Sequence, residues 1–207
     1  METPLVDLVG PLVVFACSHR AGGNTDAAAE LIARGVREAG GSARIITLRE
    51  HPVRQCLACR ACAADAQSRC VLRATDKAEE LFSELMTAPA VIFASPIYFY
   101  ALPSLLKTWI DRSQRFWEAR RKRDSWVMAL AERPAFACLV AGQPQGQKLF
   151  EGARLTLKYF LVNFGLTLGQ PLGLRALDAA GDILADSAAV KSVLALGRSA
   201  YEAARRA

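Results

Sequence analysis

Leu12-Val13-Val14-Phe15-Ala16-Cys17 runs directly into Ser18-His19-Arg20-Ala21-Gly22-Gly23-Asn24-Thr25. The first six residues are continuously apolar and rich in β-branched and aromatic side chains, as in a strand buried on both faces. The period then changes. Ala28, Leu31, Ile32, Gly35, Val36 and Ala39 recur on one helix face, and Gly40-Gly41 marks the stop. Buried strand, glycine-bearing loop and amphipathic helix, in that order, open a parallel α/β sheet.

The alternation continues. Ala43 to Leu48 reads as a second strand. A helix is predicted from Asp76, with Glu79 completing a capping box and Ala78, Leu81, Phe82, Leu85 and Met86 as its apolar stripe. Ala90 to Ala94 is the third strand. Pro103 opens a helix faced by Leu102, Leu105, Leu106, Trp109 and Ile110. Ala135 to Ala141 is the fourth strand, Gln145 to Asn163 a helix, Leu166 to Leu174 a glycine-interrupted fifth strand, and Ser187 to Ala204 a closing helix. Residues 112–133 are polar and basic and carry no assignable period. The expectation is an α/β fold: a doubly wound five-stranded parallel sheet with helices on both faces, in three layers. The 207 residues suit one domain, 1–207, with a cysteine-rich loop at about 49–75. Ligands of such sheets bind beyond the carboxyl ends of the strands, so the loops starting at Cys17, Ser95 and Ala141 should hold the function.

The bulk numbers agree. At 52% hydrophobic and 22% charged residues, the chain can bury a core and is not a disordered type. A net charge of +6 suits acidic small molecules such as phosphates and is too weak alone to argue for nucleic acid. Residues Met1 to Gly10 carry only acidic charges, and the run from Leu12 to Cys17 is too short to span a bilayer. The reading is cytoplasmic, with no membrane partner. Six cysteines in a reducing compartment point to metal binding or catalysis before a disulfide framework.

The loop from Ser18 to Thr25 has the makings of a phosphate cradle. It leads into a helix N-terminus, with its unpaired N–H groups and positive dipole end. Ser18 and Thr25 add hydroxyls, Asn24 an amide and Arg20 a charge. The plainer reading is a turn capped by Asn24 or Thr25. The loop is neither a Walker loop nor a Gly-x-Gly-x-x-Gly dinucleotide turn. In Ser95-Pro96-Ile97-Tyr98-Phe99, backbone groups can bond a flat polar ring edge and Tyr98 and Phe99 can pack on its faces. The alternative is a proline turn whose aromatics seal the sheet. Ala141 and Gly142 begin a third loop in which glycine permits close approach.

Cys56-x2-Cys59-x2-Cys62-x7-Cys70 is the sharpest constellation. Four thiolates in a short loop can hold an iron–sulfur cluster or zinc, remain free thiols or form a redox pair. Cys17 and Cys138 fall in apolar strands and read as core. Arg112, Arg115, Arg120, Arg121, Lys122 and Arg123, interleaved with Phe116, Trp117 and Trp126, form a basic stretch. A solvated helix face is preferred there over a patch for NAD(P)H phosphates, an acidic partner or nucleic acid.

Ser-x-Arg-x-x-Gly-Asn-Thr after a first strand resembles the phosphate loop of the NADPH-dependent FMN reductase group of flavodoxin-like proteins. Ser95 to Phe99, with Pro103-Ser104 and Lys107 to Arg112, is similar to that group's second flavin loop and helix. The resemblance implies FMN held by Ser18, Arg20, Asn24, Thr25, Ser95, Pro96, Ile97, Tyr98, Phe99, Ala141 and Gly142. It implies a capping or subunit-packing role for Lys107, Asp111 and Arg112, and a homodimer or homotetramer. The cysteine loop resembles the iron–sulfur flavoprotein branch, which implies a 4Fe–4S cluster on Cys56, Cys59, Cys62 and Cys70. Three functions follow as expectations. The first is an iron–sulfur flavoprotein moving electrons between a reduced carrier and a small-molecule or protein acceptor. The second is an NAD(P)H-dependent FMN or quinone-type reductase without a cluster. The third is a zinc-bearing, non-enzymatic binding module. No catalytic acid or base is nominated, since flavin would carry the chemistry.

Overall fold

The computed structural model describes residues 10–207, so the reading of residues 1–9 as an acidic start lies outside the described residues. The elements run β1 (Leu12–Ala16), α1 (Asn24–Glu38), β2 (Ala43–Thr47), α2 (Ala61–Ala64), α3 (Ala78–Thr87), β3 (Val91–Pro96), α4 (Ser104–Arg112) and α5 (Gln114–Lys122). They continue with α6 (Ser125–Met128), β4 (Arg133–Val140), α7 (Glu151–Leu161), β5 (Leu166–Leu168), β6 (Leu172–Leu174), α8 (Asp182–Ala185) and α9 (Ser187–Ala204).

The sheet is parallel, in the order β2-β1-β3-β4-β5, with β6 also paired to β4. The expected fifth strand is therefore present but split. Leu166 pairs with Arg133 and Leu172 with Cys138, and Pro171, which has no N–H to give the ladder, sits in the gap between the halves.

Alternation along β1 builds the two cores. Leu12, Val14 and Ala16 face the layer made by α1, α8 and α9, together with Ile32, Val36, Ile183 and Val193. Val13, Phe15 and Cys17 face the opposite layer of α3, α4 and α7. On that side Phe15, Phe82, Phe93, Trp109, Phe160 and Phe164 form a connected aromatic cluster, with Phe15 and Trp109 ring centroids 5.1 Å apart and Phe160 and Phe164 5.2 Å apart. On the other side α1 and α9 cross with their backbones in contact. A Cβ on Gly35 would sit 2.2 Å from the Leu194 carbonyl oxygen, and one on Gly197 2.2 Å from the Ile32 oxygen. Glycine is the residue that permits this approach.

The element ends depart from expectation in three places. The helix expected from Gln145 begins at Glu151, because Lys148 takes a left-handed backbone (φ 55°) that no helix continues through. The capping box at Asp76 does not form. The Asp76 carboxylate accepts from the N–H groups of Ala78 (3.0 Å) and Arg54 (2.9 Å), while Glu79 pairs with Arg115. The unassigned basic stretch is helical, as α5 and α6.

Candidate functional site

Parallel register brings the strand ends together. Ala16 lies opposite Ala94, and Ala94 opposite Cys138, so the loops after β1, β3 and β4 leave the sheet at one edge. They enclose a cleft of about 610 Å³. Ser18, Arg20, Asn24 and Thr25 line it from the first loop, and Pro96, Ile97, Tyr98 and Phe99 from the second. Ala141 and Gly142 line it from the third. Ser95 does not reach the cleft surface. It is fully buried and its hydroxyl donates to the Pro96 carbonyl at 3.1 Å.

The first loop is braced from within. Ser18 Oγ accepts from the Arg20 N–H (3.1 Å), and Asp26 accepts from the Gly22 N–H (2.8 Å) while pairing with Arg49. The Arg20 guanidinium folds over Gly23, where a Cβ would stand 3.1 Å from Nε, and donates to the Asp178 carbonyl at 3.0 Å. No side chain caps α1, so neither Asn24 nor Thr25 acts as expected in the plainer reading. Asn24 instead ties the loop to α8: its amide donates to the Ala179 carbonyl (2.8 Å) and accepts from the Ile183 N–H (3.2 Å). The helix start thus keeps its positive end toward the cleft.

The second loop is a tight reversal. Tyr98 and Ala101 exchange backbone hydrogen bonds of 3.0 Å, and the two residues between them, Phe99 (φ 49°) and Tyr100 (φ 63°), are both left-handed. Asn-Gly is the usual sequence for that turn. Two bulky aromatics hold it here at the cost of backbone strain, and Phe99 projects fully exposed at the cleft lip.

Tyr100, Gln143 and Pro144, from the same second and third loops, also line the cleft, as do Leu149, Leu177 and Asp178, which sequence reasoning missed. Leu177 and Asp178 follow β6, the half-strand that pairs beside β4, so the loop after the weakest strand contributes as well. Gly142 packs so closely on it that a Cβ would meet Asp178 Oδ1 at 2.8 Å.

Cys56, Cys59, Cys62 and Cys70 share a second cavity, of about 350 Å³, with Arg112, Trp117 and Glu118. All four are free thiols. Burial, then repulsion from Cys70, pushes the Cys62 thiol up. Among the described residues, no three His, Cys, Asp or Glu side chains converge closely enough to hold a metal ion. The thiols ring a space and do not gather at a point. Cys138 in β4 and Cys17 just past the end of β1 are wholly buried, and burial pushes the Cys138 thiol up to about 12.

The basic stretch corrects the expectation of a solvated face. Lys122 Nζ donates to the Asp65 carbonyl (2.7 Å), the Cys62 carbonyl (3.4 Å) and Ser68 Oγ (3.3 Å), and Ser68 donates on to Asp124. Arg120 donates to the Asn163 carbonyl at 3.0 Å and Arg121 pairs with Glu118. Only Arg121 and Arg123 of the run from Arg120 to Arg123 are largely exposed. α5 is the brace of the cysteine loop. Lys107 and Asp111 form an exposed pair on α4, while Arg112 turns inward to Asp76.

A model of the NADPH-dependent FMN reductase family matches residues 11–164. An iron-sulfur flavoprotein of Archaeoglobus fulgidus is 30% identical over 85 residues, which is 41% of this chain and 40% of that protein. An FMN-dependent NADH:quinone oxidoreductase of Thiobacillus denitrificans is 44% identical over 39 residues, 19% of each chain. The chain thus spans well under half the length of these curated relatives. A flavodoxin from the domain Archaea superposes with a TM-score of 0.55 at 15% identity, covering 94% of this chain and 98% of that one. The fold is flavodoxin-like. The family match runs from the start of β1 through the turn that ends α7, and so takes in the cleft loops after β1, β3 and β4 and the cysteine loop. The chain belongs to the NADPH-dependent FMN reductase family, a family of FMN-dependent oxidoreductases.

Proposed function

We propose that the chain binds FMN in the cleft, holds a 4Fe–4S cluster in the cysteine cavity, and moves electrons between a reduced carrier and an acceptor. The carrying observation is the cleft itself. A braced guanidinium, a helix N-terminus and an apolar wall meet at one edge of the sheet. The donor set fits the group. Arg20 and the start of α1 supply a cation and N–H groups for a phosphate. Tyr98 and Phe99 offer faces for a flat ring, and Leu149 and Leu177 shield it from water. In the second cavity, four thiols around a space of about 350 Å³ fit a polynuclear centre. Bound together, the two groups join two-electron carriers to one-electron carriers.

The chain's own work is binding and exclusion. Arg20 fixes one end of the ligand, the strained turn at Phe99-Tyr100 shapes the other, and no side chain is assigned a proton. We read NAD(P)H as the donor, the cytoplasm as the setting, and a homodimer or homotetramer as the assembly. Among the described residues no helix is long and apolar enough to cross a membrane.

A second reading is an NAD(P)H-dependent FMN or quinone-type reductase with no cluster. It is favoured by the lack of any converging metal-ion group among the described residues. An absorption spectrum of protein purified without oxygen, with iron and sulfide assayed on the same sample, separates the two. Flavin bands over broad iron–sulfur absorption support the first. Flavin without iron moves the assignment to the second. No chromophore, and no uptake of added FMN, overturns both.

A further inference from the structure

Arg112 ends α4, and its side chain has no solvent exposure. One of its terminal nitrogens, Nη1, is accounted for. It donates to the Arg54 carbonyl at 3.0 Å and to the Asp76 carboxylate. Asp76 is in turn fixed by the N–H groups of Arg54 and Ala78, so the guanidinium plane is set by two elements at once. The other nitrogens, Nε and Nη2, have no hydrogen-bond partner. A buried cation with idle donors is an arrangement that folded proteins rarely leave standing.

That guanidinium lines the cavity ringed by the four cysteines. Cys70 lies against it, its sulfur near enough to interact with the guanidinium but not aligned to satisfy Nε or Nη2. A neutral thiol is a weak acceptor and leaves such donors unsatisfied, whereas an anionic sulfur accepts from them well. The rest of the lining has the same sign. Three guanidiniums, from Arg60, Arg112 and Arg115, face one carboxylate, that of Glu118. Glu118 is itself paired with Arg121, and Arg115 with Glu79.

We propose that Arg112 is the positioning residue for a negatively charged, sulfur-ligated inorganic group in this cavity, donating from Nε and Nη2 to its sulfurs while Asp76 fixes the guanidinium. This rests on the reading of the cysteines as cluster ligands. Hydrogen bonds to cluster sulfurs, burial and net charge set reduction potential. A group that gains one negative charge with each electron is held at a higher potential beside a buried cation than without it.

The test uses the full chain reconstituted with iron and sulfide without oxygen, with FMN content and circular dichroism as controls for folding. Arg112→Gln combined with Asp76→Asn removes both charges and leaves no lone buried ion. It should keep FMN, hold iron on the order of 10–100-fold more weakly, and shift the cluster potential downward. Arg112→Lys keeps the charge and loses the planar fork. It should retain more iron than the double variant, at a potential still displaced from wild type. If either folded variant matches wild type in iron, sulfide and potential, the role of Arg112 is overturned while the cluster stands. If wild type takes up no iron and sulfide, the cluster reading and this inference fall together. Should the double variant not fold, the lysine variant decides on potential. A crystal structure of loaded wild type decides independently of folding: an Arg112 nitrogen within hydrogen-bonding distance of an inorganic sulfur of the cluster supports the assignment, and a guanidinium turned away from every inorganic sulfur overturns it.

Discussion

Arg20 is the single cation that the phosphate-loop assignment rests on. Its guanidinium is held over Gly23 by the Asp178 carbonyl, so it stands in place before any ligand arrives. Arg20→Ala should weaken FMN binding by about 1.5–3 kcal/mol, the range for hydrogen bonds to charged groups. A flavin-fluorescence titration reads this as roughly a 10–150-fold rise in Kd, and an unchanged Kd would remove Arg20 from the site. Cys59 is the most exposed of the four loop thiols. Cys59→Ser should abolish iron and sulfide uptake yet leave flavin stoichiometry intact, and an undiminished iron content would show that the loop binds through other residues. At this scale the sequence was partly readable. Residue types in the first loop pointed to an anion site, because glycines, a hydroxyl and an arginine before a helix have few other joint uses, and the structure puts Ser18, Arg20 and Gly23 on the cleft wall. The actual use of Asn24, tying the loop to Ala179 and Ile183, was invisible, since its partners lie some 155 residues away along the chain.

Among the elements, the crossing of α1 and α9 carries the sharpest constraint. Gly35 and Gly197 allow backbone to touch backbone, and a carbonyl oxygen at 2.2 Å from an added Cβ has no flexible end to yield. Gly197→Ala should therefore destabilise by about 1–3 kcal/mol, the usual range for overpacking, or more, seen as a lower urea midpoint at unchanged flavin affinity. A midpoint equal to wild type would mean that the helices can slide apart freely. The turn at Phe99-Tyr100 is predicted to behave the opposite way. Replacing the pair with Asn-Gly relieves two left-handed bulky residues and should stabilise the chain by about 1–2 kcal/mol per residue, while weakening FMN binding because an aromatic face is lost. Higher stability with unchanged flavin affinity would assign the strain no part in the site. Helix interiors were legible from period, but their ends were not. The start of α7 is set by Lys148, and the role of Asp76 by Arg112, a residue on another helix. α5 escaped recognition because its apolar side, mainly Phe116 and Ala119, is too narrow to set a period against so many arginines and lysines.

For the molecule as a whole, the sheet was the most legible feature. Strands buried on both faces must be apolar, and β1, β3 as far as Ala94 and β4 from Pro134 onward are. The split edge at β5 and β6 was the least legible, since edge positions accept Gly169 and Pro171 without breaking the fold. The position of the cleft followed from topology alone, whereas the cysteine cavity depended on a helix whose sequence looked like surface. The glycine crossing has one more consequence, in the timing of folding. α1 leaves the ribosome well before its partner α9, which spans residues 187–204, so the contacts joining them span a long stretch of sequence. Until residues 187–204 have emerged, the face of α1 at Ile32 and Val36 and the near face of β4 stand bare to water and to chaperones. A chain ended at Asp186 should bind a hydrophobic dye and be digested quickly by protease, whereas the full chain does neither. Equal resistance of the two would show that the nascent sheet is already closed without its last helix.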